Sequence, residues 1–82
     1  MKIETYAKRH RLILPGQGSQ EMTVLNHLWS HGKLTLLQAL EKYGIIALSQ
    51  RRTRLREFGW NVQTEIIKTN SGKRIARYWL EV

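Results

Sequence analysis

Gly44-Ile-Ile-Ala-Leu-Ser-Gln-Arg-Arg-Thr-Arg-Leu-Arg-Glu-Phe-Gly59 sets four arginines and a glutamine between two glycines. It reads as a turn feeding a short helix over residues 47–58. At ~100° per residue, Leu48 and Leu55 fall on nearly the same bearing, and Phe58 lies within reach of that face. Ser49, Gln50, Thr53 and Glu57 point away from the leucines, with Arg54 beside them. Arg52 and Arg56 occupy one flank and Arg51 the other. Such a helix buries one narrow apolar edge and shows a polar, cationic row to solvent.

The text on either side supplies its context. Ser19 can cap a helix in which Met22, Leu25, Leu28 and Trp29 form one apolar stripe, with Glu21 in the first turn and a stop at Gly32. Thr35 can cap a second, carrying Leu36, Leu37, Leu40 and Tyr43, which Gly44 ends. After Gly59 the chain turns β-rich. Val62, Thr64 and Ile66 alternate, Asn70-Ser-Gly72 offers a flexible turn, and Ala76, Tyr78 and Leu80 then face opposite to Ile75, Arg77 and Trp79. The order helix, turn, helix, hairpin predicts an α+β fold of three helices and a C-terminal β-hairpin. In a winged helix this arrangement presents one helix to a DNA major groove. Residues 1–18 show no sustained period and end in the breaker cluster Leu-Pro-Gly-Gln-Gly. They read as a basic N-terminal arm, with an extended piece around Arg11–Leu14, ahead of a domain over 19–82.

The net charge of +8 follows this division. The arm sets Lys2, Lys8, Arg9 and Arg11 against Glu4, and residues 47–59 set four arginines against Glu57. The hairpin sets Lys68, Lys73, Arg74 and Arg77 against Glu65 and Glu81. The first two helices are neutral, with Lys33 and Lys42 balancing Glu21 and Glu41. Charge gathered on three elements is what a polyanion-binding face requires. Eighty-two residues make one small domain, for which association would add stability. No apolar run reaches the ~20 residues of a membrane span, and no signal-peptide core opens the chain, so a cytoplasmic setting is expected. The chain contains neither Cys nor Asp, and no glycine-rich phosphate loop or nucleophile elbow. No enzyme activity and no cofactor is expected.

Candidate contacts follow from side-chain chemistry. Gln pairs bidentately with adenine and Arg with guanine, while Ser and Thr hydroxyls exchange hydrogen bonds with base edges. Ser49, Gln50, Thr53 and Arg54 are the expected base readers. Arg51, Arg52 and Arg56, with Lys68, Lys73 and Arg74 at the hairpin tip, are expected on the DNA backbone. Lys8-Arg-His-Arg11 suits an arm reaching along a groove. His27 and His31 share a helical face at metal-ligand spacing. With no third ligand nearby they read as surface histidines and no metal site is expected. Trp29, Trp60 and Trp79 sit in apolar patterns and read as core or as dimer contacts.

Several spaced positions also resemble a family of small winged helix-turn-helix proteins of bacteriophages and prophages. They are Ser19-Gln20 opening a Leu-rich helix, Leu34-Thr35 before Ala39-Leu40, Tyr43-Gly44-Ile45 before Leu48, Leu55-Arg56, Gly59, Gly72-Lys73-Arg74 and Tyr78-Trp79-Leu80. The resemblance spans roughly residues 19–81. It departs at Arg52, where the family pattern prefers an aliphatic residue facing the core. It implies a DNA-binding fold of phage origin. The resulting expectation is a small phage or prophage transcription regulator on double-stranded DNA, acting as a homodimer or cooperative assembly. The alternatives are an excisionase-type architectural factor, and a protein-interaction winged helix on a polymerase or replication protein.

Overall fold

The computed structural model describes residues 1–82, which form α1 (Ile3–Arg9), α2 (Gln20–His31), β1 (Lys33–Thr35), α3 (Leu36–Tyr43), α4 (Leu48–Glu57), β2 (Val62–Lys68) and β3 (Arg74–Leu80). The sheet is antiparallel with order β1-β3-β2. The hairpin register sets Val62 opposite Leu80, Thr64 opposite Tyr78 and Lys68 opposite Arg74. The short β1 joins the other edge, with Leu34 opposite Tyr78. The architecture is the expected α+β winged helix, enlarged by a fourth helix at the N-terminus and a third strand.

Local signals set most element ends. The Ser19 side chain accepts from Met22 N, and Gly32 caps the other end of α2 at a positive φ. Thr35 and Gln38 form a reciprocal capping box at the start of α3, and Gly44 ends that helix in the left-handed conformation. The core gathers Val24, Leu25 and Leu28 of α2, Leu34 of β1, Ala39 of α3, Leu48 and Leu55 of α4, Trp60, Val62 and Tyr78. Burial fades toward the hairpin tip: Val62 is buried whereas Thr64, Ile66 and Lys68 are exposed. The far half of the hairpin therefore stands clear as a wing. On α3 the small Ala39 makes the buried contact, whereas Leu36, Leu37, Leu40 and Tyr43 remain exposed in part.

Residues 1–18 do not form an arm. Ile3 and Ala7 are buried in the core, and Tyr6 packs against it. The Tyr6 ring lies 5.2 Å from that of Trp29 and 5.9 Å from that of Trp60. Beyond α1, the Ile13 N–H donates to Phe58 O at 3.0 Å, and Trp60 Nε1–H donates to Ile13 O at 2.8 Å. Leu12 lies directly on Gly59, where a Cβ would stand 2.8 Å from Leu12 Cδ2. Gly59 also holds φ +101°, so both the space and the backbone require glycine there. The apolar spacing Ile3, Tyr6, Ala7 covers less than two turns, too short for periodicity to separate a helix from a disordered terminus.

His27 is buried, and the expectation of a surface histidine is corrected. Its Nε2–H donates to Lys33 O at 2.9 Å, which leaves Nδ1 to accept from the Tyr43 hydroxyl at 2.7 Å. The neutral ring thus ties α2 to β1 and to the end of α3. Its pKa is lowered, chiefly because burial disfavours the charged ring. The nearby His31 and Lys42 add repulsion, and the hydrogen bond to Lys33 O opposes the shift.

Two outcomes follow. Gly59→Ala should lower stability by about 1–3 kcal/mol in urea denaturation, because the added methyl meets Leu12 in a backbone conformation that Ala tolerates poorly. For His27 the unfolded chain binds a proton at an ordinary pKa of about 6.5, whereas the folded chain resists it. The stability contributed by the neutral ring is therefore fully present above that value and is lost as pH falls below it. Denaturation at pH 7.5 and 5.5 (roughly one unit either side) should show a loss that His27→Gln reduces, even if the variant is less stable at both. An equal loss in the variant would mean that other groups drive it.

Candidate nucleic-acid interface

The two buried leucines set the rotation of α4. Leu48 and Leu55 face the core, so Ser49, Gln50, Thr53 and Arg54 are exposed together on the opposite side. The four expected base readers are thus brought onto one surface. Thr53 Oγ1–H donates to Ser49 O at 3.1 Å, which commits its proton and leaves an acceptor lone pair and a methyl group outward. Arg54 is oriented from two sides. Its guanidinium carbon lies 5.7 Å from the centre of the Phe58 ring, and its Nη1 is 3.8 Å from Glu57 Oε1. That ion pair is largely exposed and contributes little to stability. What it does is bias the side chain toward one direction.

The flanking arginines are engaged within the fold. Arg51 Nη1 donates to Glu21 Oε2 at 2.6 Å, in a pair whose side chains are only 25% and 13% exposed. Arg52 Nε and Arg56 Nη1 both donate to Val62 O, at 3.0 and 3.1 Å. Arg52 therefore spans from α4 to the first residue of β2 and lies half-buried, which explains how an arginine stands where the family pattern prefers an aliphatic side chain. Arg56 remains exposed, with guanidinium donors to spare.

Glu21, Gln50, Arg51, Thr53, Arg54 and Glu57 line a shallow hollow of about 500 Å³ with no apolar lining residue. Its two arginines are matched by its two glutamates, so it is polar but close to neutral. Such a surface exchanges hydrogen bonds well and attracts phosphate weakly. The unbalanced charge lies outside it. Lys68, Lys73 and Arg74 are exposed and make no ion pair, and Lys68 and Arg74 stand opposite each other in register.

The wing turn is closed by hydrogen bonds. Thr69 N donates to Lys73 O at 2.7 Å, Gly72 N to Thr69 O at 2.9 Å, and Lys73 N to Thr69 Oγ1 at 3.2 Å. Sequence reasoning missed Glu21 as part of this surface, having read it only as a favourable charge in the first turn of α2. Nothing in the spacing from Glu21 to Arg51 marks them as partners; only the packing of α2 on α4 does. A second hollow lies where Tyr6 and Leu12 meet the α4–β2 junction at Gly59 and Trp60 and the end of β3 at Leu80.

A helix anchored by two leucines, a polar outward row and a cationic hairpin beside it define a winged helix-turn-helix protein. The family model of the winged helix-turn-helix domain matches residues 19–82, and the chain belongs to that family. Such domains are typically non-enzymatic DNA binders. No curated protein and no solved structure matches the chain. No helix is long and apolar enough to cross a membrane.

Arg51→Ala should destabilise the fold by about 1–3 kcal/mol, because it leaves the largely buried Glu21 carboxylate without its charged donor. The double variant with Glu21→Ala should recover part of that loss. A double-mutant cycle in urea showing no coupling would rule out the pair as a structural tie.

Proposed function

We propose that this protein is a sequence-specific DNA-binding regulator that inserts α4 into the major groove and lays the wing on the neighbouring backbone. The observation that carries the reading is the division of the surface. The neutral hollow along α4 holds the hydrogen-bonding side chains, and the wing holds unpaired cations. Ser49, Gln50, Thr53 and Arg54 read base edges, Arg54 with its bidentate fork toward guanine and Gln50 with its amide toward adenine. Thr53 is restricted to accepting a hydrogen bond or meeting a thymine methyl. Lys68, Lys73 and Arg74 hold phosphates.

The role of the α4 arginines is narrower than the sequence implies. Arg56 reaches the backbone with donors it does not spend on Val62 O. Arg51 and Arg52 act mainly by setting the angle of α4 against α2 and β2, and contribute positive potential. The biological setting that best fits the resemblance is a phage or prophage transcription regulator in the cytoplasm of a bacterial host. One such small domain meets few base pairs, so a homodimer or cooperative array on repeated sites would supply the remaining specificity.

The test is selection of bound duplexes from a random-sequence pool at low and moderate salt, followed by titration of variants. A motif retained at the higher salt supports the regulator, and salt-sensitive binding without a motif supports an architectural, excisionase-type role. Arg54→Ala should cost about 1–3 kcal/mol on the selected site and little on random DNA. Lys73→Ala should weaken both alike and make the salt dependence shallower by about one counterion. Equal losses for the two variants on both duplexes would refute this division of labour.

A further inference from the structure

The chain adopts a positive φ at six positions. Five are glycines, and the sixth is Arg11, at φ 57°. It follows α1 at the place where a helix stop favours glycine: Leu12 N donates to Ala7 O at 2.8 Å and Arg11 N to Lys8 O at 3.3 Å. A side chain is disfavoured in this conformation, so a residue other than Gly, Asn or Asp there calls for a reason. The fold offers none. Arg11 is exposed, its guanidinium donates to no group in the protein, and it belongs to none of the three ion pairs.

Its position is well defined nonetheless. The next residue, Leu12, has its Cα 4.0 Å from where a Cβ of Gly59 would lie, so Arg11 stands beside the end of α4. It is not alone. At ~100° per residue, Lys8 and Arg9 fall on the side of α1 away from the buried Ile3 and Ala7, and Lys2 precedes the helix as its extended N-cap. Lys2, Lys8 and Arg9 are exposed and make no ion pair. Glu4 is the only acidic residue in this segment.

We infer that α1 and Arg11 form a second phosphate-binding surface, which begins beside the C-terminal end of α4 and lies outside the residues that the family model matches. Arg11 is its fixed point, carried on a turn whose backbone is closed by two hydrogen bonds, so little backbone freedom is lost when it meets a phosphate. The partner is the backbone of a DNA duplex, and the inference rests on the DNA-binding function proposed above. Because phosphates carry no sequence, this surface adds affinity and orientation but no base preference.

The test compares wild type, Arg11→Gly and Arg11→Lys as full chains, by thermal melting and by titration of a random-sequence duplex over a range of salt. Glycine suits the turn, so Arg11→Gly should melt no lower than wild type. It should bind about 3- to 10-fold more weakly, with a slope of log affinity against log salt shallower by about 0.9. Arg11→Lys should keep most of the binding. If Arg11→Gly bound as wild type does, with the same slope, while Lys73→Ala bound more weakly, this second surface would be disproved and the winged-helix reading would stand. If wild type bound no duplex at any salt, both would fall together.

Discussion

The junction between α4 and β2 governs the rest of the molecule. There Gly59 turns the chain with no side chain in the way, Leu12 occupies the space thus left open, and Trp60, 1% exposed, fixes its ring with a hydrogen bond to Ile13 O. For the proposed function, the α4 helix and the wing are useful only at a constant angle to one another. In many small domains a core beneath both elements would be enough. Here the chain before residue 19 is drawn in as well, and packs against the junction from outside. The N-terminal segment is therefore part of what orients the binding surface.

Around this frame, charge and hydrogen bonding are kept apart. The exposed Gln50, Thr53 and Arg54 of α4 line a hollow whose cations and anions balance, so long-range attraction does not come from there. It comes from the wing tip, the outer side of α1 and the exposed Arg56. Separation of this kind suits a protein that must first be drawn to a polyanion and then discriminate along it. The first step needs net charge, and the second needs donors and acceptors that are not already saturated by phosphate.

Much of the fold is legible in the sequence because its punctuation is strong. Ser19, Gly32, Thr35, Gly44 and Gly59 mark helix ends by capping chemistry, and the alternation through Tyr78 and Leu80 predicts which side of β3 faces inward. The outward row of α4 is legible too, since two leucines at helical spacing leave only one rotation. What the sequence hides is partner choice. Nothing local shows that Arg51 meets Glu21, that Arg52 and Arg56 converge on one carbonyl, or that His27 is enclosed between Lys33 O and Tyr43. These pairings are set by how helices and strands cross. On α3 the apolar pattern marks the helix, but burial is carried by Ala39 and not by its leucines, because only a small side chain lets that helix approach the sheet. The N-terminal helix escapes notice because its packing residues span too few turns.

The paired arginines on Val62 O carry a consequence for how firmly the wing is held to α4. A carbonyl oxygen has two lone pairs, and here each is met by a guanidinium from α4. The tie between α4 and the first residue of β2 is therefore made twice, by side chains four residues apart on one helix face. Loss of either arginine would leave the oxygen with one charged donor, so the base of the wing does not hang on a single contact.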